Sequence, residues 1–202
     1  MKRLFKIYAL VLLATGLAGL FSGGCGSSSP SSPAPVTVTQ PVTVTQQPTP
    51  SCGATWGYFQ NVGGAGGYST GYMRAFPVTL GTAAKTLDMS IYLGATATGV
   101  VELSVYSDSS GTPHTFLDGG ATSTPVTNSW NTVALTGVNL AAGTYWLAVE
   151  SQNTIDINYS GSQSATYYSV AVTYGLPPST MPTGGTSNST NAMDIFLTTV
   201  CQ

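Results

Sequence analysis

The sequence predicts an all-β domain, an antiparallel sandwich or barrel, from residue 52 to the C-terminus. Glycine, serine and threonine are abundant and 10% of the residues are aromatic, whereas only 6% are charged. This composition is too aromatic for a disordered chain and too rich in glycine and threonine for a helical bundle. Short runs after residue 52 alternate between apolar and polar residues, and turn sequences such as "SDSSGTP" and "AAG" separate them.

Three runs show the alternation most clearly, and each predicts a strand with one buried face. In "KTLDMSIYLG" every second residue from 87 to 93 is apolar, and the residues between them include Asp88 and Tyr92. The runs "VELSVYSD" (101–108) and "GTYWLAVE" (143–150) repeat this pattern. Further strands are predicted over 54–60, 72–80, 121–127, 130–135, 153–159, 166–174 and 192–200. About ten strands in about 150 residues fit one domain with a single core, residues 52–202.

The first 24 residues have the pattern of an export signal. A basic start, "MKRLFK", precedes the uncharged and largely apolar run 7–20 and then "FSGG". That run is shorter than the roughly 20 residues that span a membrane and suits a secretory signal peptide. Small residues followed by Cys25 resemble the bacterial lipoprotein signal, which implies that Cys25 is lipidated and becomes the first residue. The alternative is ordinary cleavage near Gly24, which leaves Cys25 free.

Residues 25–51 are predicted to be a disordered linker. The hexapeptide "PVTVTQ" occurs at 35–40 and again at 41–46, and its prolines favour an extended backbone without regular hydrogen bonds. The alternative is a hairpin formed by the two repeats. In the logic of the lipoprotein family, Gly26 after the lipidated cysteine implies the outer membrane of a Gram-negative bacterium.

Three cysteines are present, and export would place them in an oxidising compartment. Cys52 and Cys201 stand at the two ends of the predicted domain, so a disulfide between them would join its first strand to its last. Cys25 then remains for the lipid. A bond between Cys25 and Cys52 is the competing pairing, and it would close only the linker.

Residues 87–151 carry a resemblance to a known class of domain. The order "LDMSIYLG…VELSVYSDSSGTPHTFLDGG…NSWNTVALTGVNLAAGTYWLAVES" resembles the jelly-roll β-sandwich modules of secreted bacterial proteins. The resemblance implies a single antiparallel jelly-roll β-sandwich. Such modules serve as carbohydrate-binding-like domains, as adhesive units and as spacers.

The charge distribution argues against nucleic acid as a partner. Without the leader the chain keeps two basic residues, Arg74 and Lys85, against all seven acidic residues, a formal charge of −5. No basic stripe is available to neutralise phosphates or anionic headgroups. The membrane contact that we expect is the lipid anchor.

The sequence also argues against an enzyme. His114 is the single histidine and is interpreted as an exposed loop residue, and the "GGAGG" run (63–67) lacks the residues of a phosphate loop and is interpreted as flexible. Glycoside hydrolysis needs two facing carboxylates, and Glu102 and Glu150 share a phase on their strands. With so few acidic residues, we expect no catalytic site.

A binding face is the preferred hypothesis for function. Sugar receptors pair aromatic rings with carboxylates and amides. If their strands share a sheet, one face opposite the core would present Tyr92, Tyr106, Trp146, Asp88, Glu102 and Glu150. The alternative is that the aromatic residues form a second packing layer or lie under loops.

Two further features have a functional and a structural interpretation. Asp108 and Asp118 could hold a structural calcium ion, but Asp108 could equally hydrogen-bond its own turn. The uncharged loop 175–190 could be the rim of a groove or a mobile excursion. We therefore expect a non-catalytic binding or adhesion lipoprotein of the cell envelope, with a polysaccharide as ligand. The alternative is a structural or assembly module that packs against an envelope protein.

Overall fold

The computed structural model describes residues 53–59 and 64–202, which lie within one compact unit, Gln46–Gln202. The predicted signal peptide (1–24) and linker (25–51) lie outside the described residues, as do Cys25 and Cys52. Lipidation and the disulfide therefore stay predictions.

The described residues form strands and no helix. The strands are β1 (Thr55–Tyr58), β2 (Ala65–Tyr68), β3 (Tyr72–Leu80), β4 (Ala84–Leu93), β5 (Val101–Ser109), β6 (Thr112–Thr122), β7 (Ser129–Ala134), β8 (Asn139–Leu140), β9 (Gly143–Ser151), β10 (Ile155–Ala171), β11 (Thr186–Met193) and β12 (Ile195–Val200). The all-β prediction is confirmed.

Two antiparallel sheets pack as a β-sandwich. In the first sheet β12 lies between β1 and β4, and β7 and β8 pair with the other edge of β4. The second sheet has the order β11–β10–β3–β9–β5–β6. Strand β10 belongs to both, because its start pairs with β2 and β4 and its end with β3 and β11.

The core lies between the two sheets and contains most of the residues that the alternation predicted. Leu87 is an exception: it is 45% exposed, because the pairing of β4 with β12 passes from Asp88 to Thr86 and leaves Leu87 in a bulge. Met89 of β4, Leu103 of β5 and Val149 of β9 are all at most 1% exposed. They belong to one apolar cluster with residues from both sheets. The residues between them on each strand therefore face outward, away from the core.

Three predictions of secondary structure are wrong in detail. Part of the "GGAGG" run is strand β2 rather than a loop, and the two strands predicted at 153–159 and 166–174 are the single strand β10. The strand predicted at 121–127 is instead β6, which ends at Thr122. Its pairing with β5 contains two register shifts, and such bulges break the period of two that sequence analysis detects.

Candidate functional site

The aromatic residues expected on one face lie on two different sheets. Tyr92 is on β4 in the first sheet, whereas Tyr106 and Trp146 face each other across β5 and β9 in the second. Tyr106 is 0% and Trp146 3% exposed. The expectation of a single exposed face is therefore wrong, because its strands do not share a sheet and two of its rings are buried.

A segment that we call the flap, residues 173–185, covers the outer face of the second sheet. Tyr106 donates a hydrogen bond to the Pro178 carbonyl (3.0 Å), and Tyr168 donates one to the Pro182 carbonyl (3.2 Å). Met181 of the flap joins Tyr106, Trp146 and Tyr168 in a second, smaller apolar cluster. The alternative interpretation, a second packing layer under a loop, is the one that the structure supports.

Backbone hydrogen bonds hold the flap to β6. The Phe116 amide donates to the Ser179 carbonyl (3.0 Å), and the Met181 amide donates to the His114 carbonyl (2.7 Å). The predicted loop 175–190 thus acts as a cover, and its last residues form the start of β11. The His114 side chain is exposed, as expected, but the residue lies in strand β6 and not in a loop.

Glu102 and Glu150 are direct partners across β5 and β9, so the shared phase does bring them together. Glu150 is 1% exposed, and Glu102 is half-buried. Burial and, after it, the neighbouring Glu102 raise the pKa of Glu150 to about 7, although the Gly175 amide donates to its carboxylate. Burial also raises the pKa of Glu102.

The two aspartates predicted as calcium ligands accept hydrogen bonds from the protein. Asp108 accepts from the amide of Gly111 in its own turn (3.1 Å) and from the indole of Trp146 (2.8 Å). Asp118 is buried and accepts from Thr86 (2.6 Å) and Thr136 (2.8 Å). Among the described residues no group of three or more His, Cys, Asp or Glu side chains is placed to hold a metal.

An aromatic row crosses the outer face of the first sheet. We call it the aromatic strip; its members are Phe59, Phe196, Trp130 and Tyr92, from or next to β1, β12, β7 and β4. Ring centroids are 6.1 Å apart for Phe59 and Phe196, 4.9 Å for Phe196 and Trp130, and 5.5 Å for Trp130 and Tyr92. Phe59 is 53% exposed and the other three rings are half-buried.

The strip arises from the strand period and from the register of neighbouring strands. Phe196 lies between Ile195 and Leu197, both 0% exposed, so it points outward. Tyr92 is the direct partner of Trp130. Gly57 of β1 is opposite Phe196 at φ +144°, and a Cβ there would lie 2.7 Å from Phe196 Cα, so only glycine lets β1 approach.

Hydroxyl groups and a backbone carbonyl lie beside the strip. Ser90 and Thr132, each two residues from a strip residue, share a hydrogen bond of 2.7 Å between their hydroxyls, and Thr132 is exposed. The Tyr92 hydroxyl donates to the carbonyl of the exposed Asn128 (2.8 Å). Asp88, also on the outward side of β4, is half-buried.

Tyr92 was expected from the sequence, whereas Phe59, Trp130 and Phe196 were not. Strands were predicted at 54–60, 130–135 and 192–200, and the alternation in "NAMDIFLTTV" already places Phe196 outward. Which strands are neighbours is a long-range property, and only the pairing of β12 and β7 with β4 brings the rings together.

A separate groove runs between β1 and β3, lined by Trp56, Gly57, Tyr58, Pro77, Val78 and Thr79. The Trp56 indole donates to Thr199 (3.0 Å) and the Tyr58 hydroxyl donates to the Pro77 carbonyl (3.0 Å). These polar groups are satisfied within the protein, so we place the candidate site at the aromatic strip.

No helix in the described part of the chain has the length and apolar character to cross a membrane. No protein-family model, no curated protein and no solved structure matches this chain.

Proposed function

We propose that this protein is a non-catalytic binding or adhesion lipoprotein of the cell envelope that binds a neutral glycan at the aromatic strip. The observation that carries the proposal is the strip itself, a row of partly exposed rings across the outer face of the first sheet. Pyranose rings have apolar faces that pack on aromatic side chains, while their hydroxyls need polar partners. Thr132 and Asn128 are exposed beside the strip, and we propose that they supply polar partners for the sugar hydroxyls.

The extent of the strip favours a chain of sugars over a single sugar. The strip draws its rings from four neighbouring strands, β1, β12, β4 and β7, and consecutive ring centroids are 4.9 to 6.1 Å apart. A monosaccharide would leave most of these rings uncovered. The formal charge of −5 after the leader disfavours an acidic polysaccharide, because like charges repel.

The anchor is proposed from the sequence alone. A lipid on Cys25 would hold the chain at the outer membrane of a Gram-negative bacterium, and the linker 26–51 would hold the domain away from it. The two uncharged copies of the hexapeptide "PVTVTQ" suit such a spacer, because their prolines favour an extended backbone.

The proposal is tested by removing rings from the strip. Phe59→Ala and Trp130→Ala should each weaken binding to a neutral polysaccharide by about 2- to 12-fold, because a stacked ring contributes about 0.5–1.5 kcal/mol beyond its buried area. Binding is measured by affinity electrophoresis or on a glycan array, with melting temperatures recorded in parallel.

Leu176→Ala is the matched control. Leu176 is 92% exposed but lies on the flap, at the other sheet, so this variant loses apolar surface without touching the strip. It should bind like the wild type. Wild-type protein that binds no neutral glycan, or strip variants that fold and bind normally, would contradict the proposal.

A structural or assembly role is the alternative, and one observation favours it. Adjacent rings of the strip are inclined at 85°, 57° and 87°, so they do not form one flat platform. An uneven aromatic surface of this kind suits contact with the interdigitating side chains of an envelope protein or of a second copy of this chain. Concentration-dependent oligomers that Trp130→Ala abolishes, without glycan binding, would support this role.

A further inference from the structure

The sequence contains two glutamates, and the fold places them side by side. Glu102 and Glu150 are direct partners across β5 and β9, on the outer face of the second sheet. Neighbouring outward residues on the same strands, Tyr106 and Trp146, are buried beneath the flap. The carboxyl pair therefore lies at the margin of the covered patch, outside the aromatic strip.

The surroundings of the pair contain few groups that could balance two negative charges. Glu102 Oε2 and Glu150 Oε1 are buried and have no hydrogen-bond partner among the described residues. The flap supplies the one donor that we identify, the amide of Gly175, which donates to the Glu150 carboxylate. The closed flap thus gives the buried Glu150 carboxylate this hydrogen bond.

The titratable and charged groups near the pair lie on β2, β3, β5 and the flap. Tyr106 of β5, Tyr174 of the flap and Tyr68 of β2 all interact electrostatically with Glu150, and burial raises the pKa of each. Arg74 of β3 is the nearest described cation in the sheet, since it is opposite Val149. Its guanidinium lies over the rings of Tyr68 (4.9 Å) and Tyr167 (5.5 Å).

We propose that Glu102 and Glu150 form a pH-sensitive latch for the flap. While the pair retains one proton, a neutral carboxyl beside a carboxylate is tolerated under the closed flap. When that proton leaves to solvent, two adjacent buried carboxylates repel each other, and opening the flap lets water solvate them. Opening exposes the patch of Tyr106, Trp146 and Met181.

The direction of the pH dependence follows from the protonation of Glu150. Its pKa is about 7 in the closed state, against an ordinary value of 4.5 when the flap is open and water reaches it. The closed state therefore binds the proton more tightly, and closure is strongest at and below pH 4.5. As the pH rises from 4.5 to about 7, the ratio of closed to open protein falls on the order of 10²-fold. Above that pH the ratio changes no further.

The test is amide hydrogen exchange in the full mature chain, measured between pH 5 and pH 9 and corrected for the intrinsic pH dependence of exchange. Protection of the flap amides that bond to the body, such as Met181, should fall on the order of 10²-fold as the pH rises to about 7. Amides in the centre of β5, such as Val105, serve as the internal control and should keep their protection.

Two variants separate the latch from a general effect of pH. Glu150→Gln should keep the flap protected at every pH, because no second charge can form. Glu102→Gln should move the midpoint of the transition to lower pH, because the repulsive neighbour is gone.

Flap protection that does not change with pH in the wild type would overturn the proposal, as would a transition that persists unchanged in Glu150→Gln. If Glu150→Gln does not fold, Glu102→Gln decides the question, since Glu102 is only half-buried and its replacement perturbs less. A midpoint that Glu102→Gln leaves unmoved would then overturn the proposal.

Discussion

Asp118 links three parts of the chain through hydrogen bonds to a buried carboxylate. Its oxygens accept from Thr86 on β4 (2.6 Å), from the Thr136 hydroxyl after β7 (2.8 Å) and from the Gly119 amide (3.0 Å). Burial by itself would raise the pKa of Asp118, but the hydrogen bonds from Thr86 and Thr136 outweigh it and lower the pKa below its ordinary value of 3.8. The ionised form therefore stabilises the folded state.

We expect Asp118→Asn to lower the free energy of unfolding at pH 7 by about 1.5–3 kcal/mol, the range for hydrogen bonds to a charged group. Because the folded pKa is depressed, this contribution is complete above pH 3.8 and is lost as the pH falls through the lower folded value. Urea unfolding at pH 7 and pH 3 measures the difference. Asp88→Asn, at a half-buried site, is the control and should change stability little.

Glycine has a specific role in β2, which the sequence analysis took for part of a flexible loop. A Cβ on Gly66 would lie 2.7 Å from Cε2 of Tyr159, so the Tyr159 ring fits there only because Gly66 has no side chain. Glycine-rich runs are depleted in strands and predict loops. This run is a strand because it pairs with β10, where Gly66 is opposite Ile157 and leaves room for the Tyr159 ring.

The terminal strands pair in a register that bears on the predicted disulfide. Thr55 of β1 is opposite Thr198 of β12, and the Thr199 amide donates to the Ala54 carbonyl (2.9 Å). The described end of β1 therefore lies beside the end of β12 that precedes Cys201, as the predicted disulfide requires, while Cys52 itself lies outside the described residues.

We therefore expect Cys201→Ser to lower the free energy of unfolding by up to about 4–5 kcal/mol, the value of the chain-entropy model for a loop of this length. Thermal unfolding with and without reductant measures the effect. Cys25→Ser is the control and should leave the melting temperature of the domain unchanged. Peptide mapping under non-reducing conditions that finds Cys25 joined to Cys52 would disprove this pairing.

The two outer faces of the sandwich differ in what covers them. The flap closes the second sheet over Tyr106 and Trp146, whereas the strip leaves four rings partly exposed on the first. The strip is therefore the outer face on which aromatic rings remain accessible.

The anchor has its own test. Cys25→Ser should move the protein from the membrane fraction to the soluble fraction of its host, because the lipid is the only membrane attachment that we propose. Mass spectrometry of the N-terminal fragment should find acyl chains on Cys25 of the wild type. Cys201→Ser should stay with the membrane, and a Cys25→Ser protein that does so as well would contradict the anchor.

The sequence by itself determined most of the residues that line the core, because a strand places alternate side chains on opposite faces and that period can be read along one segment. Met89, Leu103 and Val149 were assigned correctly for this reason. The period fails at Leu87, where a bulge in the pairing of β4 with β12 leaves the side chain exposed. The sequence could not distinguish Tyr92 from Tyr106, which share an outward phase. Only the tertiary structure decided that one ring stays partly exposed and the other is buried, because strand order and the flap depend on contacts between residues far apart in the chain.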